Sequence, residues 1–437
     1  MLLTDHDSLT PREAAYIAHN CYFTLKDWIT GQPVAGMETR GNVRKMVLGD
    51  GVGAAQKAGG ANTSLRGTQV GGAKLDRVFQ GSTAGLQTGF GYVLRFNRNG
   101  RHHAVIATRG TRAEHSKADL YTDAHGSLTG FAGYGLVHTG FKNTFDSIRS
   151  GLASDDTRIM DADVVHCVGH SLGGAVATLV AAHYRSRGKA VKLYTFGCPR
   201  VGAFGAHRAM EQEIGKLNVY RVSHDLDPVT MVGPYPFGHL NPDPQDVNNM
   251  MMTSPTGRLL SVANHDMNEY VLRVSRDRMT WDSVRALGAA VDYDNAVMAR
   301  WLLRSSDNPG WLTRQAAKGL TYLMKAFSGL LLAAGLIGVT AFTAIDLLVA
   351  VLASNMSKVA ELNADIREAM RQAAGWAGIV ISGAAQITVQ VVRGILDAMM
   401  RVLKPIAIQA LFLAGTNGSP LPLILTGAAA LTGSVIC

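Results

Sequence analysis

The run Val165-His166-Cys167-Val168-Gly169-His170-Ser171-Leu172-Gly173-Gly174-Ala175 constrains this 437-residue chain more than any other segment. An apolar, β-type stretch enters Gly-x-Ser-x-Gly, and good helix formers leave it. A serine at such an elbow sits on a strained turn, and glycines flank it because side chains there would collide. The helix that starts after Ser171 points its positive end at the serine, which favours developing negative charge. Strand, sharp turn and helix in succession are the building unit of a parallel α/β sheet. The surrounding pattern agrees. Tyr92–Phe96 and Ala104–Thr108 read as neighbouring strands with turn residues at Asn97–Gly100. Asp163–Val168, Val191–Phe196 and Asn218–Val222 read as further strands, and Ala175–Tyr184 as a helix. Residues 77–275 are thus expected to form a mostly parallel sheet with helices on both faces.

A serine hydroxyl is a poor nucleophile near neutrality, so it needs a base, and the base needs an orienting acid. On this type of fold the chain order is Ser, then Asp or Glu, then His. Asp225 and Asp227 follow the Asn218–Val222 strand, and His239 and His265 come later. An oxyanion needs two amide donors. The backbone N–H of Leu172 supplies one, and the loop Thr108-Arg109-Gly110-Thr111 supplies the other through Thr111. Such chemistry needs no metal or cofactor. Cys21, Cys167, Cys198 and Cys437 lack metal-ligand spacing, and a disulfide scaffold is not expected in a chain this large.

The flanks differ from this centre. Residues 1–76 are expected to be a helical and loop extension that packs on the core. Its helix has Thr10 as N-cap, Pro11 at N1 and Glu13 at N3, and an apolar-rich run to Trp28. Residues 49–73 read as a loop rich in Gly, Ala, Ser and Thr. Met1–Pro11 carries acids and no basic region before an apolar stretch, so the protein is expected to be made in the cytoplasm without a cleaved signal peptide. Residues 276–325 read as linker helices and 326–437 as a hydrophobic, all-helical region. Residues 326–345 hold no charge, 372–392 and 405–437 are also uncharged, and Lys358–Arg371 reads as an amphipathic helix. Two readings stay open for 326–437: insertion into a membrane, or a packed helical hairpin of a soluble protein. The net charge of +9 suits an anionic surface. Without a Lys/Arg cluster interleaved with aromatics, nucleic acid is not the expected partner.

Five blocks in order carry a family resemblance: Arg109-Gly110-Thr111, Val137-His138-Thr139-Gly140-Phe141, the elbow Gly169–Ala175, Thr195–Gly202, and Asp225-Leu226-Asp227-Pro228-Val229. Together they resemble the class 3 lipases, the fungal-type α/β-hydrolases that cleave acylglycerols and phospholipids. The resemblance implies Ser171 as nucleophile, Asp227 before its Pro-Val step as acid, and His265, followed by Tyr270, as base. Asp225 is the second choice, and His239 is similar to a non-catalytic histidine of the family. Thr111 matches the family's oxyanion residue. The segment Arg112–Asp123, where the family carries its lid, is unusually polar and lacks the tryptophan common there. The implied activity is a serine esterase acting on membrane lipids through an acyl-enzyme. The organisation also resembles that of type VI secretion lipase effectors, antibacterial toxins exported without a signal peptide, and a chaperone or immunity protein would then cover the hydrophobic C-terminus. The alternative from another class is a membrane-inserting or interaction protein that uses a lipase-like domain as a binding module.

Overall fold

The structure is a computed structural model, and it describes residues 5–24, 70, 73–83, 86–110, 127–203, 205–231, 237–241, 248–256, 262–276, 278–287 and parts of 367–414. Thr111, the segment Arg112–Asp123, most of residues 49–73, the run 326–345 and nearly all of Lys358–Arg371 lie outside the described residues.

The first helix, α1 (Pro11–Asn20), starts as its sequence dictates. Thr10 accepts from the Glu13 amide, Glu13 reaches back to the Thr10 amide at 2.8 Å, and Pro11 occupies the first turn, where an N–H has no partner to lose. The helix ends at Asn20 and gives way to a 3-10 turn, Cys21–Thr24. The early acids belong to the fold: Asp7 pairs with Arg101 at 2.5 Å, and Leu9 is buried.

Strands β1 (Lys74–Thr83), β2 (Leu86–Arg98) and β3 (Arg101–Thr108) form an antiparallel meander, with Asn99 and Gly100 at positive φ in the tight turn. The short β4 (Leu128–Phe131) and β5 (Gly135–His138) lead to α2 (Thr139–Ala153) and α3 (Asp156–Met160). Then follow β6 (Val164–His170), α4 (Leu172–Ser186), β7 (Ala190–Phe196), β8 (Gly202–Ala203), α5 (Ala206–Ile214) and β9 (Val219–His224). Strands β10 (Phe237–Gly238) and β11 (Asn249–Met252) precede α6 (Met267–Val274) and α7 (Trp281–Ala286). A long helix, α8 (Val389–Ala414), closes the described chain.

The main sheet runs β1-β2-β3-β6-β7-β9-β11, and β3, β6, β7, β9 and β11 are mutually parallel. Both faces are covered, so alternate residues of one strand enter different cores. Val93, Ile106, Val165 and Leu193 pack against α2, α4 and α5, while Leu94, Val105, Val168 and Tyr194 pack against α1, α6 and α7. This is the mostly parallel α/β-hydrolase arrangement expected from the sequence, with two additions. Strand β1 extends the sheet N-terminally, and β4, β5, β8 and β10 form a separate four-stranded sheet. The N-terminal segment is tied down by the Trp281 indole donating to the Leu9 carbonyl at 2.8 Å and by His19 bonding Asn268 at 3.0 Å.

The uncharged C-terminal runs 372–392 and 405–437 are joined across the charged residues between them. One helix, α8, continues from the first into the second and carries Arg393, Asp397 and Arg401 within it. Among the described residues no helix is long and apolar enough to cross a membrane.

Candidate active site

In a parallel sheet the loops at the carboxyl ends of the strands converge on one edge. Here that edge collects the ends of β3, β6, β7 and β9. Ser171 follows β6 with φ 61° and ψ −134°, a conformation few non-glycine residues adopt. The flanking glycines are required by contact. A Cβ on Gly169 would stand 2.3 Å from the Gly173 carbonyl oxygen, and one on Gly173 would stand 2.3 Å from the Thr108 carbonyl oxygen. The turn is pinned on both sides: the Ser171 amide donates to the Phe196 carbonyl at 2.9 Å, and the Thr108 hydroxyl donates to the Gly173 carbonyl at 2.7 Å.

Ser171 Oγ lies 2.8 Å from His265 Nε2, and His265 Nδ1 lies 2.8 Å from Asp227 Oδ2. An ionised carboxylate only accepts, so Nδ1 carries the proton and Nε2 is the acceptor for the serine hydroxyl. All three side chains are buried, with Ser171 at 1% exposure. The Asp227 carboxylate is held at both oxygens. Oδ1 accepts from the Val229 amide at 2.8 Å, and Oδ2 accepts from the Tyr270 hydroxyl at 2.7 Å. Burial, and then the Asp227 charge, push the Tyr270 hydroxyl well above its ordinary pKa, so it remains a donor.

The structure also separates the competing residues. Asp225 accepts from the amide and hydroxyl of Ser254, at 2.8 and 2.5 Å, and Ser254 in turn holds the Leu226 amide. His239 Nε2 donates to the Thr230 carbonyl at 2.8 Å. Both side chains support the loop around Asp227 rather than joining the Ser171–His265–Asp227 set. Leu172 is the first residue of α4, where an amide has no partner within the helix. Thr111 lies outside the described residues, but the loop before it runs against the nucleophile: a Cβ on Gly110 would stand 2.8 Å from Ser171 Cβ. Arg109 fixes that loop by donating to the Gly89 and Gly110 carbonyls, both at 2.6 Å.

Four residues at the site were not singled out by sequence reasoning. Gly197, at φ +55°, lies so close that a Cβ there would be 2.8 Å from Asp227 Oδ2. Tyr22 Oη bonds His170 Nδ1 at 2.6 Å, His170 Nε2 bonds the His265 carbonyl at 3.0 Å, and His224 Nδ1 bonds the Asn264 carbonyl at 2.8 Å. His170 and Gly197 had a signal, one inside the elbow motif and the other inside the block Thr195–Gly202. The others meet the site through contacts remote in sequence. Among the described residues no group of His, Cys, Asp and Glu has the arrangement of a metal site.

Comparison with known proteins places this geometry. Residues 105–236 match the family described as Lipase (class 3), a span that holds Ser171, Leu172 and Asp227 but ends before His265. Secreted mono- and diacylglycerol lipase 1 of Fusarium solani is 33% identical over 175 residues, which are 39% of this chain and 51% of the relative. Secreted mono- and diacylglycerol lipase A of Penicillium cyclopium is 28% identical over 165 residues, covering 37% of this chain and 51% of the relative. The chain thus spans about half the length of the curated relatives it matches. A solved structure of Lip2 lipase from Yarrowia lipolytica is 21% identical with a TM-score of 0.35, covering 52% of this chain and 75% of that one. Two of these relatives are named as secreted, and that finding overturns the expectation of a protein made in the cytoplasm without a cleaved signal peptide. The expectation rested on the acids near the N-terminus, and Asp7 and Glu13 instead pair with Arg101 and Arg98 of the folded domain. The sheet, the elbow and the matched segment agree: residues 105–236 are similar to the class 3 lipase family and lie in an α/β-hydrolase type of sheet.

Proposed function

We propose that the protein is a secreted serine esterase that hydrolyses carboxylic esters of lipids through an acyl-enzyme. The observation that supports this reading above all is the unbroken chain Ser171–His265–Asp227, with both links at 2.8 Å, on a strained elbow at the sheet edge. In the proposed reaction Ser171 Oγ attacks the ester carbonyl carbon while His265 Nε2 takes its proton. The oxyanion is held by the Leu172 amide and by Thr111. Collapse of the tetrahedral adduct breaks the bond to the alcohol, which leaves with the proton from His265. Water then attacks the acyl-Ser171 ester, giving its proton to His265, and release of the fatty acid returns that proton to Ser171. Asp227 stays ionised and stabilises the His265 imidazolium that forms twice per turnover.

The relatives, named as mono- and diacylglycerol lipases, favour acylglycerols as substrates. The net charge of +9 and the apolar residues 326–437 favour phospholipid as a second substrate class, presented at a membrane surface. On this reading residues 77–275 form the catalytic domain, 1–76 an extension on it, 276–325 a linker and 326–437 a lipid-facing region. The binding-module alternative is disfavoured because a scaffold has no need of a complete, buried triad. The antibacterial-effector setting, with a chaperone or immunity protein over residues 326–437, gains no support from the secreted fungal relatives.

Mass spectrometry of lipids decides the substrate. Purified protein is incubated with dispersed diacylglycerol and, separately, with mixed phospholipid vesicles, beside a Ser171→Ala control. Release of fatty acid from diacylglycerol by the wild type alone is the expected result. Release of lysophospholipid would extend the activity to phospholipid, and no release from either would end the lipid-esterase reading.

A further inference from the structure

The base of the candidate triad sits on a short 3-10 turn, Val262–His265, a type of element with poor hydrogen-bond geometry of its own. Two consecutive carbonyls of this turn are held from outside it. His170 Nε2 is 3.0 Å from the His265 carbonyl oxygen, and His224 Nδ1 is 2.8 Å from the Asn264 carbonyl oxygen. A carbonyl only accepts, so each ring nitrogen facing it carries the proton. The other ring atoms fit those tautomers. His170 Nδ1 is the acceptor for the Tyr22 hydroxyl at 2.6 Å, and His224 Nε2 is buried with no hydrogen-bond partner among the described residues. Both rings also stack at the site: His170 on His265 with centroids 4.6 Å apart, and His224 on Tyr270 at 4.0 Å.

The two histidines come from the strand ends that bear the rest of the triad. His170 is the last residue of β6, directly before Ser171, and His224 is the last of β9, three residues before Asp227. We propose that His170 and His224 are positioning residues that clamp the His265 turn to the strands carrying the nucleophile and the acid, each through one ring N–H to one carbonyl. The proposal rests on the hydrolase reading above. It gives the base the same frame as its two partners, so a shift of β6 or β9 carries His265 along. Burial keeps both rings neutral, and that of His224 is pushed down to about 4, so neither sets a second positive charge beside the His265 imidazolium.

The test uses the full chain and a soluble short-chain ester. His170→Leu and His224→Leu remove the donors, whereas His170→Gln and His224→Asn keep an N–H near the same ring position. The leucine variants are expected to lose kcat on the order of 10- to 100-fold at nearly unchanged KM, since a small misplacement of a catalytic group has that cost. The donor-keeping variants should recover most of the loss. A second readout is the low-field proton resonance of the His265–Asp227 hydrogen bond, which should broaden in the leucine variants and persist in the others. If the leucine variants do not fold, Tyr22→Phe decides in their place. It frees the His170 tautomer without opening a large cavity, and a several-fold drop in kcat at constant KM is expected. Folded leucine variants with wild-type kcat, glutamine and asparagine variants as impaired as leucine, or an indifferent Tyr22→Phe would each overturn the clamp. An inactive wild type would instead sink the hydrolase reading, so the two failures are distinguishable.

Discussion

At Gly197 the backbone turns at φ +55°, and an added Cβ would stand 2.8 Å from Asp227 Oδ2 and 3.0 Å from His265 Nδ1. Gly197→Ala therefore strains the backbone and pushes the acid and base apart at once. The expected result is a loss of kcat on the order of 100-fold with a lowered Tm, read by ester turnover and thermal melting. Wild-type turnover in the alanine variant would show that the site tolerates the displacement. At the triad itself, Ser171→Ala should cut hydrolysis by on the order of 10⁴-fold while leaving the circular dichroism spectrum and Tm near wild type. His265→Ala and Asp227→Asn should cripple turnover too. Asp225→Asn and His239→Ala should be milder, because these side chains serve Ser254 and the Thr230 carbonyl. A dead His239→Ala beside an active His265→Ala would reverse the assignment. The strand that both follow left Asp225 and Asp227 as alternatives, and only the family resemblance, through the Pro228-Val229 step, put Asp227 first. What separates them is direction, and direction depends on where Gly197 and Tyr270 arrive from elsewhere in the chain.

Legibility at the scale of elements followed the strength of local patterning. Strand β6, the elbow and α4 could be read because an apolar β run, a glycine-flanked turn and helix formers sit in sequence. Strand β1 was missed because Lys74-Leu75-Asp76-Arg77 carries charges, which the fold places at the sheet edge, where Arg95 pairs with Asp76 and Arg77 pairs with Asp155. Strand β11 was missed because Asn249-Met250-Met251-Met252 has no β-branched residue, and pairing with β9 overrides that weak propensity. The two-residue strands β8 and β10 are too short for any periodicity. One pair of strands hides a chemical feature as well. His103 on β3 bonds His166 on β6 at 2.9 Å, and Phe96 of β2 stacks on His103 with centroids 4.7 Å apart. Burial lowers the pKa of both histidines, and for His166 the neighbouring His103, Lys192 and Arg98 lower it further. A histidine with a folded pKa below its unfolded value binds its proton only on unfolding as the pH drops. Stability from this pair is thus complete above about pH 6.5 and declines as the pH falls below it, by up to about 1.4 kcal/mol per pH unit for each histidine. Urea melts at pH 7.5 and 5 should show that decline, and His166→Phe should make it shallower, while His170 and His224, also kept neutral by burial, retain their share. An equal slope in the variant would assign the acid sensitivity to other groups.

Across the whole molecule the C-terminal helix meets the α/β region that holds Ser171, Asp227 and His265. The sequence leaves two readings for residues 326–437, insertion into a membrane or a packed helical hairpin of a soluble protein. In the described part, α8 crosses both of the later uncharged runs and packs against Val262–His265, the turn that bears the base. Val392, Ile395, Leu396 and Met399 are buried along one face of α8, while Arg393, Asp397 and Arg401 line the exposed one. Further along the helix, Ala407 joins the core that contains Leu172 and Val229. Such packing makes α8 a support of the site, so truncation after residue 387 should not be neutral for soluble substrates. Four large apolar side chains leaving a buried face cost on the order of several kcal/mol, which corresponds to a Tm drop of about 10 °C in a domain of this size. Turnover of a short soluble ester should fall with it, because the support of His265 is lost. Vesicle flotation of the same pair separates the two roles of the region. If full-length protein floats and the truncation does not, residues 388–437 also bind lipid. If neither floats, while Tm and soluble turnover drop, α8 serves the fold alone. An unchanged Tm with unchanged turnover would mean that the helix contributes nothing to the His265 turn.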